Sequence, residues 1–361
     1  MTACDACLRR TALVAAIAGR LDVEWRRREA PARVLALSDE ALLEVADAAT
    51  VRTYAAFRPG AARAAVVAAG LAAVCRCDEG YPDRLRALPD PPPVLHVAGR
   101  LRALEDAEAV AIVGARRASA YGLEVSRTLG RDLSGAGVSV VSGMAMGVDA
   151  AAHVGALERA APPVAVLAAA ADVPYPARHR RLHAEIVERG CVVSEMPPGF
   201  TAFRWSFVAR NRIIAALAAV TVVVEAAERS GSLTTADFAA DIGRTVAAVP
   251  GRVTCRTAAG TNELLQSGAA LVRNAADALD LLAEATGSAR RTPAPAPAGE
   301  PLDPALQRLL AAIEDGRNTL GALASTPEDA RAVLAALGEL EFRGLVSRSF
   351  SGRYERSAGT A

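Results

Sequence analysis

"VVSGMAMGVDAAAH" spans Val140–His153, and its reading decides the fold. Valines 138, 140 and 141 favour a strand, and Ser142-Gly143 ends it in a turn. Gly147 follows four residues later and opens an alanine-rich helix with Asp149 in its first turn. A strand that runs through glycines into a helix start presents free backbone N–H groups at a positive helix end, which suits a phosphate. Whether that phosphate belongs to a nucleotide, a small substrate or a nucleic-acid backbone depends on the rest of the chain.

Outward from this stretch the pattern repeats. Apolar runs "AVAIVG", "VSVVSG", "PVAVLA", "CVVSE", "VTVVVE", "TVAAVPG" and "AALVRN" follow in order, most of them separated by helix-like segments. Strands alternating with helices predict an α/β domain with a doubly wound, Rossmann-like parallel sheet over residues 105–286. Residues 1–104 read as a helical N-terminal domain, with "PGAARAAVVAAGLAAV" as one of its helices and a short strand after "LPDPPP". Residues 287–304 alternate Pro and Ala and read as a stiff tether. Residues 305–361 hold three helical runs and a closing hairpin, the pattern of a C-terminal winged-helix domain.

The 361 residues carry a net charge of +1, so any anion site must be a local cluster. All 41 basic residues are arginine, which excludes a lysine-bearing P-loop and a lysine Schiff base. No run of about 20 apolar residues occurs, and the chain reads as cytoplasmic with no membrane contact. Cys4-x-x-Cys7 and Cys75-x-Cys77 hold four of six cysteines and would in principle bind zinc. The tight C-x-C half and the long separation argue for ordinary reduced thiols, so no metal and no cofactor are expected.

Four strand ends carry the candidate chemistry. After "AVAIVG", Gly114 is followed by Arg116 and Arg117 where a dinucleotide fingerprint would place its second glycine, which disfavours NAD or FAD and favours an anion gripped by guanidinium groups. The opening stretch supplies Ser142, Gly143 and Gly147; a Ser142–His153–Asp149 triad is disfavoured, because Asp and His four apart on one helix seldom orient that way. "FRWSFVARNRIIAAL" interleaves Phe203, Trp205 and Phe207 with Arg204, Arg210, Asn211 and Arg212, the mixture of stacking faces and cations that single-stranded nucleic acid needs, although one or two of these aromatics fit core positions as well. "VEAAERSGSLTTADFA" ends a strand in Glu225 and turns through Ser230, Gly231 and Ser232 into a helix, with Ser232 placed to cap it.

Together these motifs resemble the DNA-processing protein A family, also called Smf. The residues that carry the resemblance are Gly114–Arg117, Ser142–His153, Asp172–Pro176, Ala209–Ala215 and Glu225–Ala236, in order across the central domain. The resemblance implies a single-stranded DNA-binding protein that protects incoming DNA and loads the RecA recombinase in natural transformation, acting as a homodimer. Met146, Ala170 and Val208 depart from the family pattern, where a basic residue, a glycine and a proline are usual. Losing one cation at Met146 removes about one unit of salt-dependence slope.

A binding protein is therefore expected, not an enzyme. The alternative is a nucleoside-monophosphate-processing hydrolase on the same fold, with Asp149 or Glu225 as its carboxylate. A zinc- or redox-regulated adaptor built on the four cysteines is a third reading. The candidate recognition helix of the C-terminal domain, Pro327 to Gly344, sets Arg331 and Arg343 against Glu328, Asp329, Glu339 and Glu341, a balance of −2. That suits protein contact or regulation better than a DNA groove.

Overall fold

The computed structural model describes residues 3–26, 34–44, 46–104, 108–289, 291–292, 302–324, 326–343, 345–349 and 352–356. The chain forms two compact units, Met1–Pro293 and Ala294–Ala361. Most of the expected tether, including 293–301, lies outside the described residues.

The first unit is built on a nine-stranded sheet. In chain order its strands are β1 (Ala72–Cys75), β2 (Val94–Gly99), β3 (Ala109–Val113), β4 (Ser139–Ser142), β5 (Val164–Val166), β6 (Cys191–Ser194), β7 (Val220–Val223), β8 (Thr245–Ala248) and β9 (Ala270–Leu271). All seven strand runs from "AVAIVG" onward form strands. The spatial order is β1-β2-β6-β5-β4-β3-β7-β8-β9. From β6 to β9 the pairs are parallel, while β1–β2 and β2–β6 are antiparallel. The path leaves β3 through β4 and β5 in one direction, then returns to β7, β8 and β9 on the other side of β3. That reversal makes β3/β7 the switch point, and the crevice beyond the carboxyl ends of such strands is where open α/β sheets bind ligands. Strands β3 and β7 are buried along their whole length, in keeping with their near-continuous apolar character.

The boundary expected at residue 104 is not seen in the packing. Helices α1 (Asp5–Ala16), α2 (Ala18–Arg26), α3 (Asp39–Glu44), α4 (Ala48–Ala55) and α5 (Pro59–Ala68) do cover much of the N-terminal stretch. The run read as one helix from Pro59 breaks, however, at Gly70 with φ +67°, and its last residues form β1. Alanine and valine tolerate both states, so the glycine's left-handed turn decides where helix becomes strand. Leu13, Val14, Ile17, Leu21 and Leu42 pack with Met196, Trp205 and Ala209 in one apolar cluster. The N-terminal helices and the sheet thus share a core.

Helices cover both faces of the sheet: α6 (Asp83–Arg86), α7 (Ala120–Gly135), α8 (Val148–Ala156), α9 (Arg180–Arg189), α10 (Arg204–Leu217), α11 (Leu233–Asp241), α12 (Ala259–Gln266) and α13 (Ala275–Thr286). The last ends where the α/β region was expected to end. The second unit holds α14 (Pro304–Glu314), α15 (Leu320–Leu323), α16 (Pro327–Phe342) and the antiparallel pair β10 (Val346–Arg348)–β11 (Tyr354–Arg356). Leu306, Leu310, Ile313, Leu337, Leu340, Val346 and Tyr354 form its core. Among the described residues no helix is long and apolar enough to cross a membrane.

Candidate nucleic-acid interface

A groove of about 750 Å³ opens over the carboxyl ends of β3 and β7. Its walls are the turn after β3, the N-terminal half of α10 and the Ser230–Ser232 turn before α11. Gly114, Arg116, Arg117, Phe207, Arg210, Asn211, Ser230, Gly231 and Ser232 all line it. Residues from three separated motifs therefore meet in one place. Tyr175, Arg204 and Arg229 line it as well. Among the described residues, the lining holds five arginines against one carboxylate, Asp149.

Arg116 and Arg117 are exposed and form no ion pair among the described residues, and the same holds for Arg229. The Arg116 guanidinium lies 4.9 Å from the centre of the Phe207 ring, within cation–π range. Tyr175 also packs against Phe207, tilted, with ring centres 5.3 Å apart. The other two aromatics of the segment do belong to the core. Trp205 is fully buried and its indole N–H donates to the Ala18 carbonyl at 2.9 Å; Phe203 packs on Phe200.

Arg210 forms the floor. It is buried and donates to the Val166 carbonyl at 2.7 Å, while its Nε has no partner among the described residues. Burial pulls its pKa down to about 10 against the opposing pull of nearby Asp149, so it remains a cation at neutral pH. Asp149 accepts from the backbone N–H of Gly143 at 3.1 Å and of Ala145 at 3.4 Å. Burial raises its pKa, and Arg210 and those two N–H groups oppose the rise. Gly143 makes the floor possible. A Cβ there would sit 1.5 Å from Arg210 Nη1. Gly147, with φ +80°, begins α8, and a Cβ on it would lie 2.2 Å from the Ala115 carbonyl. Both glycines thus serve the close packing beneath the groove, one against a guanidinium and one against backbone.

Two predicted residues are elsewhere. Ser142 is fully buried and its hydroxyl donates to the Ile112 carbonyl at 2.6 Å, between strands. It has no free hydroxyl to offer a ligand, nor could it serve a triad. Arg212 is the larger correction. Its guanidinium is 2% exposed and forms ion pairs with Asp90 and Glu195, both at 2.8 Å. Nε donates to Asp90, Nη1 to Glu195 and the Ala209 carbonyl, and Nη2 to Glu195 and the Asp90 carbonyl. All five N–H bonds are used inside the protein, so none is left for a phosphate. Asn211 binds the Gly231 carbonyl at 3.1 Å and the Thr234 hydroxyl at 2.8 Å, which fixes the Ser230–Ser232 turn to α10. Ser232 does not cap α11 with its side chain; its hydroxyl pairs with that of Ser230 at 2.8 Å instead.

Tyr175 and Arg229 were missed as lining residues, although each lies inside a quoted motif. An aromatic within Asp172–Pro176 and an arginine just before the Ser230–Ser232 turn are the sequence signals for them. Of the three departures, Met146 borders a small recess beside Arg116 and Phe207, Val208 lines the main groove, and Ala170 is buried.

A family model described as DNA recombination-mediator protein A matches residues 72–283. The chain belongs to that family. The recombination-mediator match begins at β1, inside the segment expected to be a separate helical domain. The putative DNA processing protein DprA of Mycobacterium tuberculosis is 42% identical over 231 residues, 64% of this chain and 59% of that relative. The chain therefore matches less than two thirds of that relative's length. Protein Smf of Synechocystis sp. is 33% identical over 313 residues, 77% of this chain and 78% of that relative. The X-ray structure of DNA processing protein A from Streptococcus pneumoniae aligns with TM-score 0.63 and 29% identity over 78% of this chain and 98% of that one. A structure concerning the single-stranded DNA binding mode of DNA processing protein A from Helicobacter pylori aligns with TM-score 0.54 and 31% identity over 59% and 96%.

Proposed function

We propose that the groove binds single-stranded DNA, and that the chain passes the bound strand to a RecA recombinase as a cytoplasmic homodimer. The observation that carries this reading is the Arg116–Phe207–Tyr175 platform at the mouth of an arginine-lined groove. Cations beside aromatic faces hold phosphates and unstacked bases together, and bases offer their faces only when unpaired. The unpartnered Nε of buried Arg210 adds a donor that an anionic ligand would satisfy. The single-stranded DNA binding mode of the Helicobacter pylori protein supports the DNA part, and the family's recombination-mediator description supports the RecA part.

The hydrolase reading lacks a base. Glu225 accepts from the Ser119 N–H at 2.9 Å and the Ser119 hydroxyl at 2.5 Å, and so fixes the start of α7. Asp149 is engaged by two backbone N–H groups and faces Arg210. A binding protein, not an enzyme, fits these carboxylates. In the second unit, three helices and a hairpin suit a winged helix, and the charge of α16 favours a protein-contact or regulatory role for it.

Fluorescence anisotropy of labelled single- and double-stranded DNA across a salt series tests the central claim. Tight, salt-sensitive, strand-selective binding that Arg116→Ala weakens is expected. Equal affinity for both forms, or binding indifferent to Arg116, would overturn it. RecA filament formation on DNA covered by a single-strand-binding protein, with and without the chain, tests delivery.

A further inference from the structure

The fold brings together the four thiols that the sequence holds in two distant pairs. Cys4 precedes α1 and Cys7 lies in its first turn; Cys75 ends β1 and Cys77 lies in the turn after it. The four Sγ atoms all lie within 4.8 Å of one another. Cys7 and Cys77 are 3.7 Å apart at sulfur. A tetrahedral zinc–thiolate centre with bonds of about 2.3 Å has sulfur–sulfur edges of about 3.8 Å. From this geometry we propose that Cys4, Cys7, Cys75 and Cys77 bind one zinc ion that clamps α1 to the outer edge of the sheet.

Two features separate this site from a chance cluster of thiols. First, the sulfurs converge as four and not as two pairs. Two disulfides would need closeness only within each pair, whereas mutual closeness of all four surrounds a single point. An iron–sulfur cluster spreads its thiolates around several metal atoms, so this spacing suits a lone ion. Second, both halves are held by bonds that do not involve the thiols' own cross-contacts. The Cys75 N–H donates to Asp78 at 2.8 Å, and Arg86 donates to the carbonyls of Arg76 and Asp78. On the other half, Arg63 donates to the Ala3 carbonyl at 3.0 Å and pairs with Asp5. The Cys4 N–H already points at Cys75 Sγ, 3.4 Å away, the backbone-to-sulfur bond that supports a thiolate ligand.

Zinc replaces the four thiol protons, which pass to solvent, and leaves a centre of net charge −2. Arg63 on α5 and Arg86 on α6 donate to the backbone of the two segments that carry it. The clamp closes a loop between residues 71 apart in sequence. Cys7 and Cys75 are buried, Cys4 is half-buried and Cys77 is exposed, so the centre is coordinatively closed with one edge at the surface. That is the form of a structural site, not a catalytic one. The proposal stands on the cysteine geometry alone and is independent of the DNA-binding reading.

The test uses the full-length chain, purified without chelator. Elemental analysis should find about one zinc per chain. Replacing the metal by cobalt(II) should give the intense visible bands of tetrahedral thiolate coordination. Asp78→Ala should weaken zinc retention against a chromophoric chelator by about 10- to 100-fold, and Cys77→Ser by more. A folded chain free of zinc, with its thiols alkylatable or paired as disulfides, would overturn the proposal, as would stoichiometric iron. If Cys77→Ser fails to fold, the cobalt spectrum of the unsubstituted chain still decides. Weak octahedral cobalt bands there would count against the site.

Discussion

Replacing Arg212 by methionine separates a structural arginine from a functional one. Arg212 fills a buried position between Asp90 and Glu195, whose side chains are each 6% exposed. Methionine keeps much of the volume but removes the charge that both carboxylates face. Breaking a buried ion pair from one side costs about 3–5 kcal/mol, because a charge is left without compensation. Here two carboxylates are stranded, so the upper part of that range is expected at about pH 8. Burial already raises the Asp90 pKa even with Arg212 present. Without Arg212 it rises further, and an acid whose folded pKa exceeds its unfolded one binds more protons when folded. Stability of the variant therefore recovers as pH falls toward the unfolded carboxylate range, and its deficit shrinks by about pH 5. Urea unfolding followed by tryptophan fluorescence reports this directly, since Trp205 is buried on the same helix. The folded variant should keep native DNA affinity and salt slope. A deficit under about 1 kcal/mol at about pH 8 would refute the buried network. So would a deficit that does not change with pH. Loss of one unit of salt slope in the folded variant would return Arg212 to the groove.

Further outcomes follow from the same geometry. Arg116→Ala and Arg117→Ala should each flatten the logarithmic salt dependence of DNA binding by about one unit without changing stability, as read by anisotropy and urea titration. Phe207→Ala should cost about 1–3 kcal/mol of binding across all base sequences, since stacking is sequence-tolerant; loss confined to one base type would argue against a platform. His96 and His153 are buried with pKa values lowered to about 4 and about 3, from an ordinary 6.5. Folding keeps both neutral while the unfolded chain protonates them, so stability should fall as pH drops below about 6.5, by up to about 1.4 kcal/mol per pH unit for each imidazole. Flat stability between about pH 6.5 and 5 would contradict their burial. Deleting residues 287–361 should leave DNA affinity within about threefold, because the described residues that line the groove belong to the first unit; abolished binding would overturn the regulatory reading of the second.

How much of this was legible beforehand depended on the range of the interaction. The inner parallel strands β3 to β7 announced themselves, because strands buried on both faces read as near-continuous apolar runs. Arg116 was legible because a strand end in an open sheet has few other places to put a cation. Arg212 was not, yet helix geometry held a warning. Arg210 and Arg212 lie two residues apart on α10, so at 3.6 residues per turn their side chains point about 200° apart and cannot both face one groove. The pattern A-R-N-R reads as a cationic cluster along the sequence and as two opposite faces in space. One face holds Arg210 under the groove; the other ties α10 to Asp90 and Glu195. The clustering of the cysteines was not legible for the complementary reason. No local spacing relates Cys4 to Cys75. They meet because Gly70 turns a helix into the edge strand β1, and that strand returns the chain alongside the start of α1. Arg212 and the thiol cluster thus act on the same region from two sides, since Asp90 lies in the segment between β1 and β2. The helix that carries the groove's arginine and aromatic is therefore anchored, through Arg212, to the part of the chain that the thiols hold.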